Sequence, residues 1–264
     1  SELGLSVPQT WSEFTEVCKK SKESGTAPLL FGGKDQWPVN MILIGLEAGI
    51  VRGPKPDFYD HMRDGTNKYT DAEWLEVFKK LDTLSEYFME NTVGLGYGQA
   101  PGMFATGKAA MMIDGSWSKT QILEANPDFE VGAFITPGSE KAEFNDSLPI
   151  KIGNGWSIYK ESPNIEAAQK YLEFTSRKDI YEKYTEIVKM TPVMEGVELE
   201  VPLANEIASL GNKQLIFYEQ LRIAGGKNTQ TPNAMKVILD EITPQEAVEN
   251  IQNDLMGSKS NWSK

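Results

Sequence analysis

The stretch Phe104 to Trp117 (FATGKAAMMIDGSW) restricts the fold of this chain more than any other. Ala109 to Ile113 is a short apolar run bounded by Lys108 and Asp114, the pattern of a fully buried strand. Gly107 ahead of it suits the position just past a helix end, where a left-handed backbone is cheap only without a Cβ. Gly115 behind it allows a sharp turn, and Ser116 can cap a helix running through Gln121 and Leu123. Trp117 then stands on the first turn of that helix, at the carboxyl end of a strand, where open α/β sheets bind ligands. It also fits as an ordinary core aromatic, and the stretch alone leaves both readings open.

Upstream, Thr10 and Glu13 form a capping box for a helix that buries Phe14, Val17 and Cys18 and stops at Gly25. Pro28 to Phe31 reads as a strand. The loop Gly32 to Pro38 then empties into an apolar helix from Asn40 to Ala48, placing Trp37 at a second strand-to-helix junction. Tyr69 to Asn91 is expected to be one long helix with a Thr70/Glu73 capping box and a core face of Trp74, Val77, Phe78, Leu81, Leu84 and Phe88. A glycine-rich segment, Gly94 to Gly102, connects it to the opening stretch.

Downstream, Phe129 to Ile135 alternates like a strand and ends at Pro137-Gly138, a turn signal. Ser139 to Ser147 reads as an exposed connection. Ile150 to Tyr159 reads as a strand containing Gly153-Asn154-Gly155-Trp156, where the glycines mark either close approach by a ligand or a bulge. Helices are expected from Ser162-Pro163 onward, over Ile180 to Val188, Leu203 to Leu210, Lys213 to Ala224, Asn233 to Ile242, and Pro244 to Leu255. The last opens with a third capping box, Thr243/Glu246, and Ser258 to Lys264 reads as a frayed polar tail.

Several chemistries drop out on counting. A net charge of −12, from 38 acidic and 26 basic residues, argues against nucleic acid as a partner. One cysteine, Cys18, cannot form an intramolecular disulfide or a thiolate cluster, and it reads as a small core residue. One histidine, His61, removes most imidazole-based metal and acid–base schemes. Gly102 to Lys108 matches the first seven positions of a phosphate-binding loop, but Ala109 stands where Ser or Thr would hold magnesium. The strand also follows this motif instead of preceding it, so nucleotide binding is rejected. The best apolar run, Val39 to Val51, is broken by Gly45, Glu47 and Gly49 and is too short to span a bilayer. No signal peptide is visible at Ser1, so any export signal is expected to lie ahead of this sequence.

Four landmarks, in order, resemble the sugar-binding, maltose-binding-protein-like solute receptors of ABC importers. They are Pro8-Gln-Thr-Trp11-Ser-Glu-Phe14; Phe104…Gly107-Lys-Ala-Ala-Met111…Gly115-Ser-Trp117; Phe129-Glu-Val-Gly132…Thr136-Pro137-Gly138; and Gly153…Ile158-Tyr-Lys160-Glu-Ser162-Pro-Asn164 with Tyr171-Leu172-Glu173-Phe174. The resemblance implies an α/β, helix-rich lobe of the type II periplasmic-binding-protein kind, with part of a second lobe. Roughly 1–146 and 195–264 would form the C-terminal lobe, and 147–194 a remnant of the N-terminal lobe. Members of this family begin with about a hundred further residues, so the sequence looks like part of a longer protein.

The family likeness implies a solute, a mono- or oligosaccharide, held between hinged lobes and delivered to ABC permease subunits, with no cofactor, no metal and no covalent chemistry. It implies an extracellular or periplasmic protein, anchored as a bacterial lipoprotein in its full-length form. Sugars present apolar C–H faces and hydroxyl edges, which calls for aromatic platforms beside hydrogen-bonding groups. Trp117 matches the family's ligand-stacking tryptophan, and Trp37 falls where a second contact is supplied, with Asp35 and Asn40 nearby. Asp114 and Ser116 flank Trp117, while Trp156 and Asn154 lie near the expected hinge. The alternatives are a non-sugar solute (polyamine, iron chelate or glycerol phosphate), with Asp35 and Asp114 beside tryptophan faces for a cation, and a glycoside hydrolase using paired carboxylates. A peptide-recognition module has no positive support.

Overall fold

A computed structural model describes residues 4–150, 155–188, 192–197, 207, 209–216 and 229–257. The first helix, α1 (Trp11–Glu23), begins where the capping box places it. Thr10 Oγ1 accepts the Glu13 N–H and Glu13 Oε2 accepts the Thr10 N–H, at 3.3 and 3.2 Å. Gly25, in the left-handed region at φ 85°, turns the chain into β1 (Ala27–Leu30). After a loop come the apolar helix α2 (Val39–Glu47) and a π-helical turn, Ala48–Arg52. Next are α3 (Phe58–Asp64), α4 (Ala72–Ser85) and α5 (Ala100–Phe104), then β2 (Ala109–Met112) and α6 (Ser118–Ala125).

β1 and β2 pair in parallel, Ala27 opposite Ala109 and Leu30 opposite Met112. The chain that crosses over between them carries α2 to α5, as a parallel connection requires. β3 (Ser147–Ile150) and β4 (Lys213–Ile216) form a second parallel pair. The remaining described helices are α7 (Ile165–Thr175), α8 (Lys178–Val188), α9 (Gln230–Ile238) and α10 (Pro244–Gly257). No helix among the described residues is long and apolar enough to cross a membrane.

The main core forms around α4, which packs against α2, α9 and α10. Trp74, Phe78 and Leu81 of α4, Ile42 and Leu46 of α2, Val237 of α9 and Ile251 of α10 are all fully shielded. Each such side chain stabilises the fold by about 1.5–3 kcal/mol relative to exposure. A smaller cluster of Leu30, Phe104, Ala105, Ala109 and Ile122 fastens β1, α5, β2 and α6 together. Cys18 is fully buried, and burial pushes its thiol up to about 12, as befits an unreactive core residue.

Several expectations change. The helix expected over Tyr69 to Asn91 runs only from Ala72 to Ser85. The Thr70/Glu73 capping box is not made: Asp71 takes the cap position, and Glu73 pairs with Lys55 at 2.5 Å. At its far end the chain leaves the helix to pair along β1. The Leu29 N–H donates to the Tyr87 carbonyl and the Met89 N–H to the Leu29 carbonyl, satisfying a strand edge that would otherwise be bare. β2 is only part-buried, with Ala110 exposed, and among the described residues it pairs with β1 alone. Phe129 to Ile135 forms no strand; its alternate side chains Phe129 and Val131 pack on the small cluster, and Phe134 on the large one.

The connection expected to be exposed, Ser139 to Ser147, is pinned by buried Asn145, whose amide bonds Ser139 and the Gln9 carbonyl. Lys213 to Ile216, expected to begin a helix, is strand β4, and 217–224 lie outside the described residues. Of the expected strand Ile150 to Tyr159 only Ile150, the last residue of β3, is in a strand; 151–154, including Asn154, lie outside the described residues, and Gly155 to Tyr159 form no strand. Most of Leu203 to Leu210 and the tail Ser258 to Lys264 also fall outside them. The Thr243/Glu246 capping box is made as expected.

Candidate functional site

The parallel pairing of β1 and β2 puts their carboxyl ends on the same edge of the sheet, so the loops that follow them meet there. The loop after β1 carries Asp35 and Trp37; the one after β2 carries Asp114 and Trp117. A third segment, Thr92 to Gln99, lies against the first of these loops. The Lys34 N–H donates to the Leu95 carbonyl at 3.1 Å, and a Cβ on Gly32 would stand 2.5 Å from the Tyr97 Cα. Gly32 is therefore required by close backbone approach.

Tyr97, brought in on that third segment, joins the two tryptophans. Its ring packs on Trp37 with centroids 4.4 Å apart and planes at 59°. Its backbone N–H donates to Asp35 Oδ2 at 2.6 Å. Its hydroxyl accepts from Trp117 Nε1 and donates to Asp114 Oδ1. Asp114 also accepts the Gly115 N–H at 2.7 Å on Oδ1 and the Ser118 hydroxyl on Oδ2. Burial pushes the Asp114 carboxyl above the usual range, against the pull of those hydrogen bonds. Burial, followed by the neighbouring Asp114 charge, raises Tyr97 as well.

Trp117 takes the cap position of α6, one residue before its first turn, and Ser116 makes no cap bond. Instead the Asp114 carboxylate holds Ser118, the first helical residue. Ser116 is exposed, and Asn40, half-buried on the first turn of α2, makes no side-chain hydrogen bond among the described residues. Gln36, at φ 58°, is a left-handed non-glycine residue that turns Trp37 outward, leaving it 38% exposed.

The structure thus brings together Asp35, Trp37, Asp114 and Trp117 through Tyr97, with Asn40 and Ser116 attached only as chain neighbours of the two tryptophans. It does not bring Trp156 to them: that ring is 70% exposed and meets Tyr171 edge-on at 6.1 Å. Asn154 lies outside the described residues. Tyr97 is the member that the sequence reading missed; its signal was an aromatic inside the glycine-rich stretch Gly94 to Gly102. Among the described residues, no group of three or more His, Cys, Asp or Glu could hold a metal ion. A cleft of about 310 Å³ lined by Gly49, Ile50, Pro54, Lys80 and Phe144 lies beyond the opposite end of α2 and shares no residue with this cluster.

A model of the bacterial extracellular solute-binding protein family matches residues 1–180. The chain belongs to this family. That agrees with the four landmarks in the sequence. Among curated relatives, the multiple sugar-binding protein of Streptococcus mutans serotype c is 26% identical over 205 residues, covering 74% of this chain and 47% of its own. A maltooligosaccharide ABC transporter solute-binding lipoprotein of Streptococcus pneumoniae serotype 4 is 30% identical over 116 residues, 42% of this chain and 26% of its own. The chain spans less than half the length of these relatives.

Among solved structures, a chitin oligosaccharide binding protein superposes with a TM-score of 0.79 at 25% identity, covering 98% of this chain and 67% of the other. The solute-binding protein RafE in complex with raffinose gives 0.76 at 26% identity, covering 98% and 68%. The fold is therefore the helix-rich α/β lobe of a periplasmic-type binding protein, and the family and relatives are transport binding proteins.

Proposed function

We propose that the cluster at the carboxyl ends of β1 and β2 is one wall of a carbohydrate site in the solute receptor of an ABC importer. The observation that carries this reading is the pair of tryptophans after paired strands, with the indole nitrogen of Trp117 turned inward to Tyr97. A ring tied by its polar edge offers its apolar face, which suits the C–H face of a sugar. Asn40, Ser116 and the Asp35 oxygen not used by Tyr97 supply groups for hydroxyls. Both Asp114 oxygens are occupied within the protein, which weighs against a polyamine or other cation as ligand.

In this reading 1–146 and 195–264 belong to one lobe and 147–194 to the other, with the paired strands β3 and β4 joining the two segments. The concentration of exposed apolar residues in the second segment supports the division: seven of the eleven exposed large hydrophobic side chains of the described residues lie between Trp156 and Val193. The ligand contributes by binding the hinge-closed state better than the open one, and permease subunits recognise that closed state. The protein works outside the cell, held by a lipid anchor like the pneumococcal lipoprotein it resembles.

Titration with raffinose, stachyose and chitin oligosaccharides tests this by tryptophan fluorescence, in this chain and in one extended to its relatives' length. Saturable quenching by one of them, lost in Trp117→Ala, is the expected result. No response to any of them in either chain would overturn the carbohydrate assignment.

A further inference from the structure

The indole of Trp117 is confined at both of its ends, by Tyr97 and by Gly115. At the pyrrole end, Nε1 donates to the Tyr97 hydroxyl, which is itself fixed by donating to Asp114 Oδ1. At the other end, the six-membered ring folds back over Gly115 so closely that a Cβ there would overlap Cη2, Cζ3 and Cζ2. The Tyr97 backbone is anchored in turn by Asp35, and its ring supports Trp37.

We infer that Tyr97 and Gly115 are positioning residues that lock Trp117 into its ligand-ready orientation before any ligand arrives. The inference rests on the reading of Trp117 as a ligand-facing platform. Two consequences follow for recognition. The only polar atom of the indole is committed inside the protein, so Trp117 contributes stacking and no hydrogen bond to the solute. Its orientation is also settled in advance, so binding need not order a large side chain. Tyr97 couples the two platforms, because one residue fastens Trp117 by its hydroxyl and Trp37 by its ring.

The test reads the lock without ligand. In the protein labelled with ¹⁵N-tryptophan, the Trp117 indole N–H signal is the one absent from Trp117→Phe. Tyr97→Phe keeps the ring and removes only the hydroxyl. It is expected to shift the Trp117 signal and speed its exchange with water by about tenfold or more, while the fully buried Trp74 indole stays unchanged. Gly115→Ala reaches the same indole from the opposite side and is expected to displace the same signal. A merely structural role for Tyr97 would lower the melting temperature without singling out Trp117. An unchanged Trp117 signal in folded Tyr97→Phe overturns the inference. If that variant does not fold, an unchanged signal in Gly115→Ala does so.

A second arm measures raffinose affinity, where Tyr97→Phe is expected to bind roughly 2- to 10-fold more weakly, the cost of ordering one freed side chain. Equal affinity in a variant whose Trp117 signal has moved would overturn the claim that the lock aids binding. No response of the unsubstituted protein to raffinose, stachyose or chitin oligosaccharides would overturn the carbohydrate reading and leave the indole result standing, so the two failures are distinguishable.

Discussion

Helices α4 and α7 are built on the same pattern and meet different fates. Both are amphipathic and both place aromatic residues on their apolar face: Trp74 and Phe78 on α4, Tyr171 and Phe174 on α7. On α4, Trp74, Val77, Phe78, Leu81 and Leu84 are all buried, enclosed by α2, α9 and α10. On α7 no described residue is buried, and Tyr171 and Phe174 stand 53% and 48% exposed. Periodicity decides that a helix forms and which face is apolar. Whether that face is dry depends on a second surface arriving against it. α4 meets α2, α9, α10 and the π-helical turn, whereas among the described residues α7 packs on α8, with the Trp156 ring and the Arg177 guanidinium beside it.

The most severe way to break this comparison is to remove a large ring from each helix. Trp74→Ala is expected to cost about 3–5 kcal/mol, since the cavity lies in a packed core. Phe174→Ala on α7 should change stability by no more than about 0.5 kcal/mol. Urea unfolding of both variants checks this, and comparable losses would show that α7 is as well packed as α4. A smaller effect is expected at the start of α1, where Thr10→Ala removes half of a completed capping box and should cost about 1 kcal/mol. Thermal melts would reveal it, and Thr70→Ala, where no such box is made, should be close to silent.

The subtlest contrast lies in two carboxylates. Asp114, in the packed region, is raised above the ordinary aspartate value of 3.8 by burial, partly offset by its hydrogen bonds. Asp179, exposed on α8, is held below it by the Arg177 guanidinium. The signs are opposite. Asp114 favours the folded state below pH 3.8 and loses that contribution as pH rises through its raised value. Asp179 contributes above pH 3.8 and loses its share as pH falls through its depressed value. Carboxyl-carbon NMR titration should show Asp114 protonating before Asp179 as acid is added; the reverse order would undo the contrast.

Much of the candidate site's local geometry was legible because its parts are local. Gly107 is left-handed at φ 73°, β2 follows it, and Trp117 stands just beyond the strand, as the stretch Phe104 to Trp117 dictates. Trp37 was readable for the same reason. Tyr97 was not, because its partners Trp37, Asp35, Asp114 and Trp117 come from two other loops, and nothing in its immediate sequence names them. Asp114 was read as a group for the solute, yet its oxygens face Tyr97, Gly115 and Ser118. The capping boxes show the same division. Those at Thr10 and Thr243 are made, while the one at Thr70 is displaced when Glu73 finds Lys55, a residue on a different segment.

By itself, then, the sequence determined the things set by short-range sterics and periodicity: where chain direction changes, which faces are apolar, and which strand ends carry an aromatic. Only the tertiary structure decided what those features meet. The edge of β1 claimed Tyr87 to Met89 from the end of the expected helix, pairing backbone groups that a bare edge would leave without partners. The close approach of Gly32 and Tyr97 turned three loops into one cluster. Hydrogen bonds and close packing act over a few ångströms of space, whatever the distance along the chain. Trp117 and Tyr97 are therefore hydrogen-bonded to each other although they stand 20 residues apart.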